Sequence, residues 1–264
     1  MPKAMTPKPE QAGNLSFWQH LDVLRNVLLR SLVAWIAAAI TMFAFKKQLF
    51  LWLFAPSQPD FILYKAIRYL SRTLNIPSVT PDWHISFLNT ELTGQFMTHV
   101  QVALWAGLVV ASPYIIYQFY RFLAPALYEK EKQYSLSLLA AAVALFAIGV
   151  TVNYLLIFPL SVQFLGSYQV NEQVVNQISL TSYMSSFWAL SLMMGVMFEV
   201  PILTLLLARL GLITKATLQH YRRHIFIAIL IAAAVITPTG DIFTLTIAAL
   251  PIYFLYETSI LLVK

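Results

Sequence analysis

"LTGQFMTHVQVALWAGLVVASPYIIYQFY" fills residues 92–120, the 29 positions between Glu91 and Arg121 that carry no Asp, Glu, Lys or Arg. A helix of about 20 residues crosses the ~30 Å hydrocarbon core of a bilayer, so this run is long enough to span one. A second run follows it, 39 uncharged positions between Lys132 and Glu172. Composition agrees with both. Of 264 residues, 59% are hydrophobic and 11% charged, whereas a soluble domain carries about 25% charged residues. A chain this poor in charge needs lipid to cover part of its surface. It reads as an all-α membrane protein, one integral membrane domain over residues 1–264 with a flexible N-terminal segment over 1–14.

Outward from that run, six spans are expected: Leu24–Leu53, Gly94–Phe122, Ser135–Phe158, Thr181–Leu210, Ile225–Gly240 and Ile242–Tyr256. The last two are short, 16 and 15 residues, and such spans thin the bilayer or lean on partners. Pro113, Pro159, Pro201 and Pro251 fall inside or at the end of four spans. Each frees a backbone carbonyl and bends its helix, so the bundle should be curved.

Six spans put both termini on one side. Twelve of the 17 Lys and Arg residues fall on that side, while Lys46, Lys47, Lys65, Arg68 and Arg72 fall on the other. The positive-inside bias makes the terminal side cytoplasmic. The net charge of +6 belongs to this pattern and to anionic headgroups, not to nucleic acid. The first 16 residues lack the apolar core of a cleavable signal peptide. Ser16 with Gln19 makes a capping box ahead of an amphipathic start, with Leu21, Leu24 and Leu28 along one side. In the first external loop, "FILYKAIRYLSRTL" (61–74) sets Lys65, Arg68 and Arg72 beside Phe61, Leu63, Tyr64, Ile67 and Leu70. It reads as a short amphipathic helix on the outer leaflet or capping the bundle.

Chemistry is sparse. An intramembrane aspartyl protease needs two aspartates at membrane depth, and only Asp241 comes near a span. His99 is the one histidine within a span, and no serine sits in a Gly-rich turn. His220 and His224 stand one turn apart, but Arg222 and Arg223 between them repel a cation. No enzyme, cofactor or metal is expected. Glu199 stands out, because a carboxylate inside a span is costly and must face protein, water or a partner. Asp241 fits an N-cap at the last span, Glu257 lies near enough to an end to reach water, and Pro56 is read as structural.

Five segments then fall into one order: "FWQHLDVLR" (17–25), "VALWAGLVVASPYIIYQFYRFLAPALYEKEK" (102–132), "FPL" (158–160), "FEVP" (198–201) and "ITPTGD" (236–241). In these the chain resembles the TatC family, the core subunits of the twin-arginine protein translocase. The resemblance implies a concave six-helix bundle in the cell inner membrane. It implies a receptor for twin-arginine signal peptides on folded cargo, working with single-span TatA- and TatB-type partners under the proton-motive force, as a homo-oligomer within the complex. It assigns Glu131, with Phe122 beside it and His20, Asp22 and Arg25 in the N-terminal segment, to peptide binding. It assigns Glu199 to a partner helix.

Two positions depart from the family pattern. Val23 stands where the family carries a glutamate, leaving Asp22 as the nearest carboxylate, with Arg25 three residues on to pair with it. Leu245 stands where many relatives have glutamine. A small-solute secondary transporter and a ligand-free scaffold are the competing readings; a transporter should show paired, broken spans in two halves, and none is evident.

Overall fold

The computed structural model describes residues 17–75, 86–123, 135–169, 171, 176–236 and 241–263. Ser16, Glu131 and the Lys130–Lys132 charge run therefore lie outside the described residues. Helix α1 (Phe17–Ala44) ends at Phe45, whose φ of −91° and ψ of 37° break the ladder, and α2 (Lys46–Phe54) starts afresh. The single first span expected over Leu24–Leu53 is thus two helices. The cause is Lys46-Lys47: a bend at Phe45 keeps both ammonium groups exposed, where a straight helix would carry them into a region that penalises charge.

Helix α1 also faces the opposite way from its apolar stripe. Leu21 and Leu28 are 40% and 50% exposed, while Val27, Ser31 and Ala39 are buried. Lipid solvates leucine as well as a protein interior does, so small residues take the helix contact. The partner is α4 (Gly94–Leu123), packed antiparallel along it. Gly107 lies against the backbone of Ala39, Trp35 Nε1 donates to the Leu104 carbonyl at 2.7 Å, and Phe43 stacks on His99 at 4.1 Å.

Helix α3 (Ile62–Leu74) forms where the amphipathic pattern places it and stops at Asn75 in the left-handed region, φ 55°. Only one edge of it packs. Phe61 and Tyr64 are buried, whereas Ile62, Tyr69, Leu70 and Leu74 are more than half exposed. The Tyr64 hydroxyl donates to the carbonyls of Pro56 (3.2 Å) and Pro159 (2.9 Å). Burial pushes that hydroxyl well above the usual tyrosine range, so it stays a donor.

Helix α5 (Ser135–Val152) runs through a π turn at Asn153–Ile157 into α6 (Phe158–Ser167). The third span therefore extends past its expected end at Phe158. Proline lacks an N–H and clashes with the carbonyl four residues back, and for Pro159 that carbonyl lies in the widened π turn, which accommodates the ring. Helix α7 (Leu180–Met197) breaks at Phe198-Glu199 before α8 (Val200–Arg209), with Pro201 in its first turn. Pro113 and Pro251 sit inside α4 and the last helix.

Short α9 (Lys215–His220) and α10 (Arg222–Ile236) lead to α11 (Ile242–Leu262). At 15 residues α10 is about 22 Å long, but α11, with 21, reaches about 31 Å. The expectation of a short last span fails for α11, which runs on to Leu262. Glu257 does not end α11, because its charge is met within the fold. Among the described residues, five helical stretches are long and apolar enough to cross a membrane: Leu21–Ala44, Gly94–Phe122, Ser137–Ser167, Leu180–Arg209 and Ile242–Leu262.

Two buried clusters share α7. Leu53, Val102, Ala106 and Phe158 pack on its Tyr183, Phe187 and Leu190. Ala233, Ala248, Ile252 and Tyr256 pack on its Met193 and Met194. A two-residue parallel pair, β1 (Phe87–Leu88) with β2 (Ile178–Ser179), ties the first loop to the loop before α7. This pairing has no counterpart in the sequence pattern.

Candidate functional site

The antiparallel register of α1 on α4 decides what meets at the terminal end of the bundle. Ala39 lies against Gly107 and Phe43 against His99. The same register puts Asp22 and Arg25 level with the last turn of α4, where Arg121 is exposed and Phe122 half-buried. Of the expected peptide-binding residues, Asp22, Arg25 and Phe122 therefore converge on one end. The backbone of His20 lies in the first turn of α1, and Glu131 follows α4 outside the described residues. Asp22 and Arg25 are exposed, and among the described residues they form no ion pair with each other. The Asp22 carboxylate is open to an incoming cation. Val23 is 39% exposed, an apolar side chain at the surface where a glutamate was expected.

Glu199 sits at the α7–α8 break, half-buried. Its backbone is satisfied, with the N–H donating to Val196 at 3.1 Å and the carbonyl accepting from Leu203 at 2.9 Å. Its Oε1 is buried without a hydrogen-bond partner. Val196 and Met197, one turn earlier, line a groove of about 590 Å³ between α4 and α7, which Gln101, Trp105 and Ser185 also line. A buried carboxylate oxygen without a hydrogen-bond partner among the described residues carries a desolvation cost.

The structural residues resolve differently. Asp241 caps α11, its Oδ1 accepting the Thr244 N–H at 2.7 Å. Pro56 is buried in a 3₁₀ turn over Ala55–Ser57 and holds Tyr64 through its carbonyl. Glu257 accepts from Arg222 Nη2 at 2.7 Å and from the Tyr253 hydroxyl at 3.0 Å. It is a locked pair between α10 and α11. Arg222 was legible only as a basic residue, because its partner lies 35 positions away. A second polar contact escaped the sequence altogether. Asn153, fully buried at the start of the π turn, donates to Ser191 Oγ at 2.7 Å.

This architecture has known counterparts. A family model for Sec-independent protein translocase protein (TatC) matches residues 19–251. The chain belongs to the TatC family. It is 31% identical to the Sec-independent protein translocase protein TatC of Blattabacterium sp. subsp. Periplaneta americana, over 95% of both chains. Against the TatC of Deinococcus radiodurans the identity is 30% over 98% of this chain and 89% of the relative. The crystal structure of a twin-arginine translocase receptor TatC in DDM superposes with a TM-score of 0.77 at 29% identity, covering 93% of this chain and 99% of that one. Membership makes this TatC-family chain a multi-pass inner-membrane component of a protein-transport system, and the transporter reading of the sequence loses its support.

Proposed function

We propose that this chain is the signal-peptide receptor of a twin-arginine translocase, embedded through six spans with α10 as the fifth and with both termini in the cytoplasm. In this reading the bundle is concave, Glu131 and Asp22 bind consecutive arginines at the cytoplasmic face, and Glu199 meets a polar group on a TatA- or TatB-type single-span partner. Transport draws on the proton-motive force, and several copies act in the complex. The observation that supports the reading is the α1–α4 register, which brings exposed Asp22, without an ion pair among the described residues, level with the last turn of α4 where Phe122 lies.

The chemistry favours arginine. Guanidinium offers a planar fork that holds a carboxylate bidentately, and ammonium does not. A hydrogen bond to a charged group contributes about 1.5–3 kcal/mol, and about 1.4 kcal/mol is tenfold in affinity. The expected result is therefore at least tens-fold tighter binding of an RR signal peptide than of its KK form by the purified protein. Equal binding of the two peptides would remove the recognition role.

The Glu199 role has its own signature. Glu199→Leu removes a buried oxygen that lacks a partner, a group that costs about 1–3 kcal/mol. The isolated variant should therefore melt no lower than the parent, while crosslinks to TatA- and TatB-type partners fall several-fold. A variant that melts lower and keeps its crosslinks would make Glu199 a structural residue.

A further inference from the structure

The first-loop end carries five basic residues, Lys46, Lys47, Lys65, Arg68 and Arg72. Among the described residues, the ion pairs there all go to Asp60, which meets Lys65 at 4.0 Å and Arg68 at 3.8 Å. Lys46 and Lys47 are exposed and, among the described residues, have no carboxylate within ion-pair distance. They open α2, where the helix dipole disfavours cations, so neither is placed there for the sake of the helix.

Two neighbouring hollows lie against α2, and Lys47 lines one of them. One, about 610 Å³, is lined by Lys47, Phe50, Leu51, Ala55 and Gln58. The other, about 560 Å³, is lined by Phe45, Gln48, Val109, Val110 and Thr151, and is almost wholly apolar. Trp52 and Tyr154 wall both, and the Tyr154 hydroxyl holds this divider by donating to the Trp52 carbonyl at 2.9 Å. The two hollows differ in depth. Lys47 follows the end of the Leu21–Ala44 span, whereas Val109 and Thr151 lie at the middle of the Gly94–Phe122 and Ser137–Ser167 spans. The pair therefore runs from a cationic, amide-lined mouth at the membrane surface to an apolar slot at mid-bilayer.

We infer that these hollows form a binding site for one anionic phospholipid. Its phosphate is met by Lys47 with Lys46, its glycerol region lies beside Trp52, and an acyl chain fills the slot between α2, α4 and α5. Charge complementarity selects the headgroup, because two unpaired ammonium groups face a leaflet whose anions are phosphodiesters. Shape selects a lipid over a partner helix. A helix with its side chains is a rod about 10–12 Å across, and the space here is divided by the Trp52 and Tyr154 rings. The lipid belongs to the leaflet on the Lys46–Lys47 side, the outer one in the orientation proposed above. The inference needs only that the chain is embedded, so it and the receptor reading can fail separately.

The test is native mass spectrometry of the full chain, released from detergent after equilibration with phosphatidylglycerol or with phosphatidylcholine of the same chain length. The wild type should retain one phosphatidylglycerol about tenfold more readily than phosphatidylcholine. Lys46→Gln with Lys47→Gln should bring the two lipids level. Val110→Trp or Thr151→Trp, which fill the slot from opposite walls, should lose both lipids while the protein still melts cooperatively. A preference that survives the double lysine variant, retention unchanged by both tryptophans, or a preference lost only when Lys65, Arg68 and Arg72 are replaced would overturn the inference. So would release of a bound polypeptide in place of lipid.

Discussion

Gly107→Leu is expected to leave little folded protein, seen as a collapse of the monodisperse peak in detergent and no cooperative thermal transition. Even a bare Cβ at position 107 would lie 2.5 Å from both the N and the Cα of Ala39. Carbon atoms in contact sit about 3.5–4.0 Å apart, so α1 and α4 must separate by more than 1 Å. Neither contact is a side chain that can swing away. Overpacking costs about 1–3 kcal/mol where side chains can adjust, and here the backbone of a long helix pair must move, against a total stability of about 5–15 kcal/mol. Gly149 should behave the same way, because a Cβ there meets the Met194 carbonyl. Gly195 is the control. A Cβ there meets only the ring edge of Phe146 at 2.6 Å, which can rotate, so Gly195→Ala should cost far less. Equal tolerance of alanine at 107 and 195 would show that the α1–α4 contact does not hold the bundle. That contact also sets the register that brings Asp22 level with Phe122, so any 107 variant that does fold should, in the proposed reading, bind signal peptide poorly.

Glu131→Ala is expected to abolish export of an RR-signal reporter while the protein remains inserted at normal levels. Glu131 stands between Lys130 and Lys132, in a charged stretch between two apolar spans. What is lost is a carboxylate able to hold guanidinium with two charged hydrogen bonds. With Val23 in place of the second family glutamate, Asp22, which has no ion pair among the described residues, is the adjacent carboxylate that can share the task. Asp22→Asn should therefore weaken export further than a surface aspartate normally would, and the double variant should bind neither RR nor KK peptide. Normal export by Glu131→Ala would sink the assigned role.

The sequence carried the membrane embedding and four of the span positions, because those depend on uninterrupted apolar runs such as 92–120 and 133–171. It carried the amphipathic helix at 62–74 as well. It could not show which face of that helix packs, since the choice depends on the Pro56 and Pro159 carbonyls that Tyr64 reaches. The break at Phe45 was hidden because apolar runs flank it on both sides of Lys46-Lys47-Gln48, and only that short polar stretch hinted at it. The end of α11 was misplaced for the opposite reason. Glu257 looks like a terminator until Arg222 and Tyr253 are seen to meet it. At the site, Asp22 and Phe122 were named from family resemblance, and the register that sets them at one level depends on Gly107 meeting Ala39.

The double duty of α7 bears on how the protein is made. The ribosome delivers α2, α4 and α6 before the helix that completes their cluster exists, so the faces of Val102, Ala106 and Phe158 that meet Tyr183, Phe187 and Leu190 stay uncovered until α7 enters the bilayer. The same helix then offers Met193 and Met194 as the surface on which the last spans settle. Assembly is therefore gated at one point in translation. A nascent chain halted before α7 has the α1–α4 pair but neither completed cluster, and one halted just after it already holds the template for the rest.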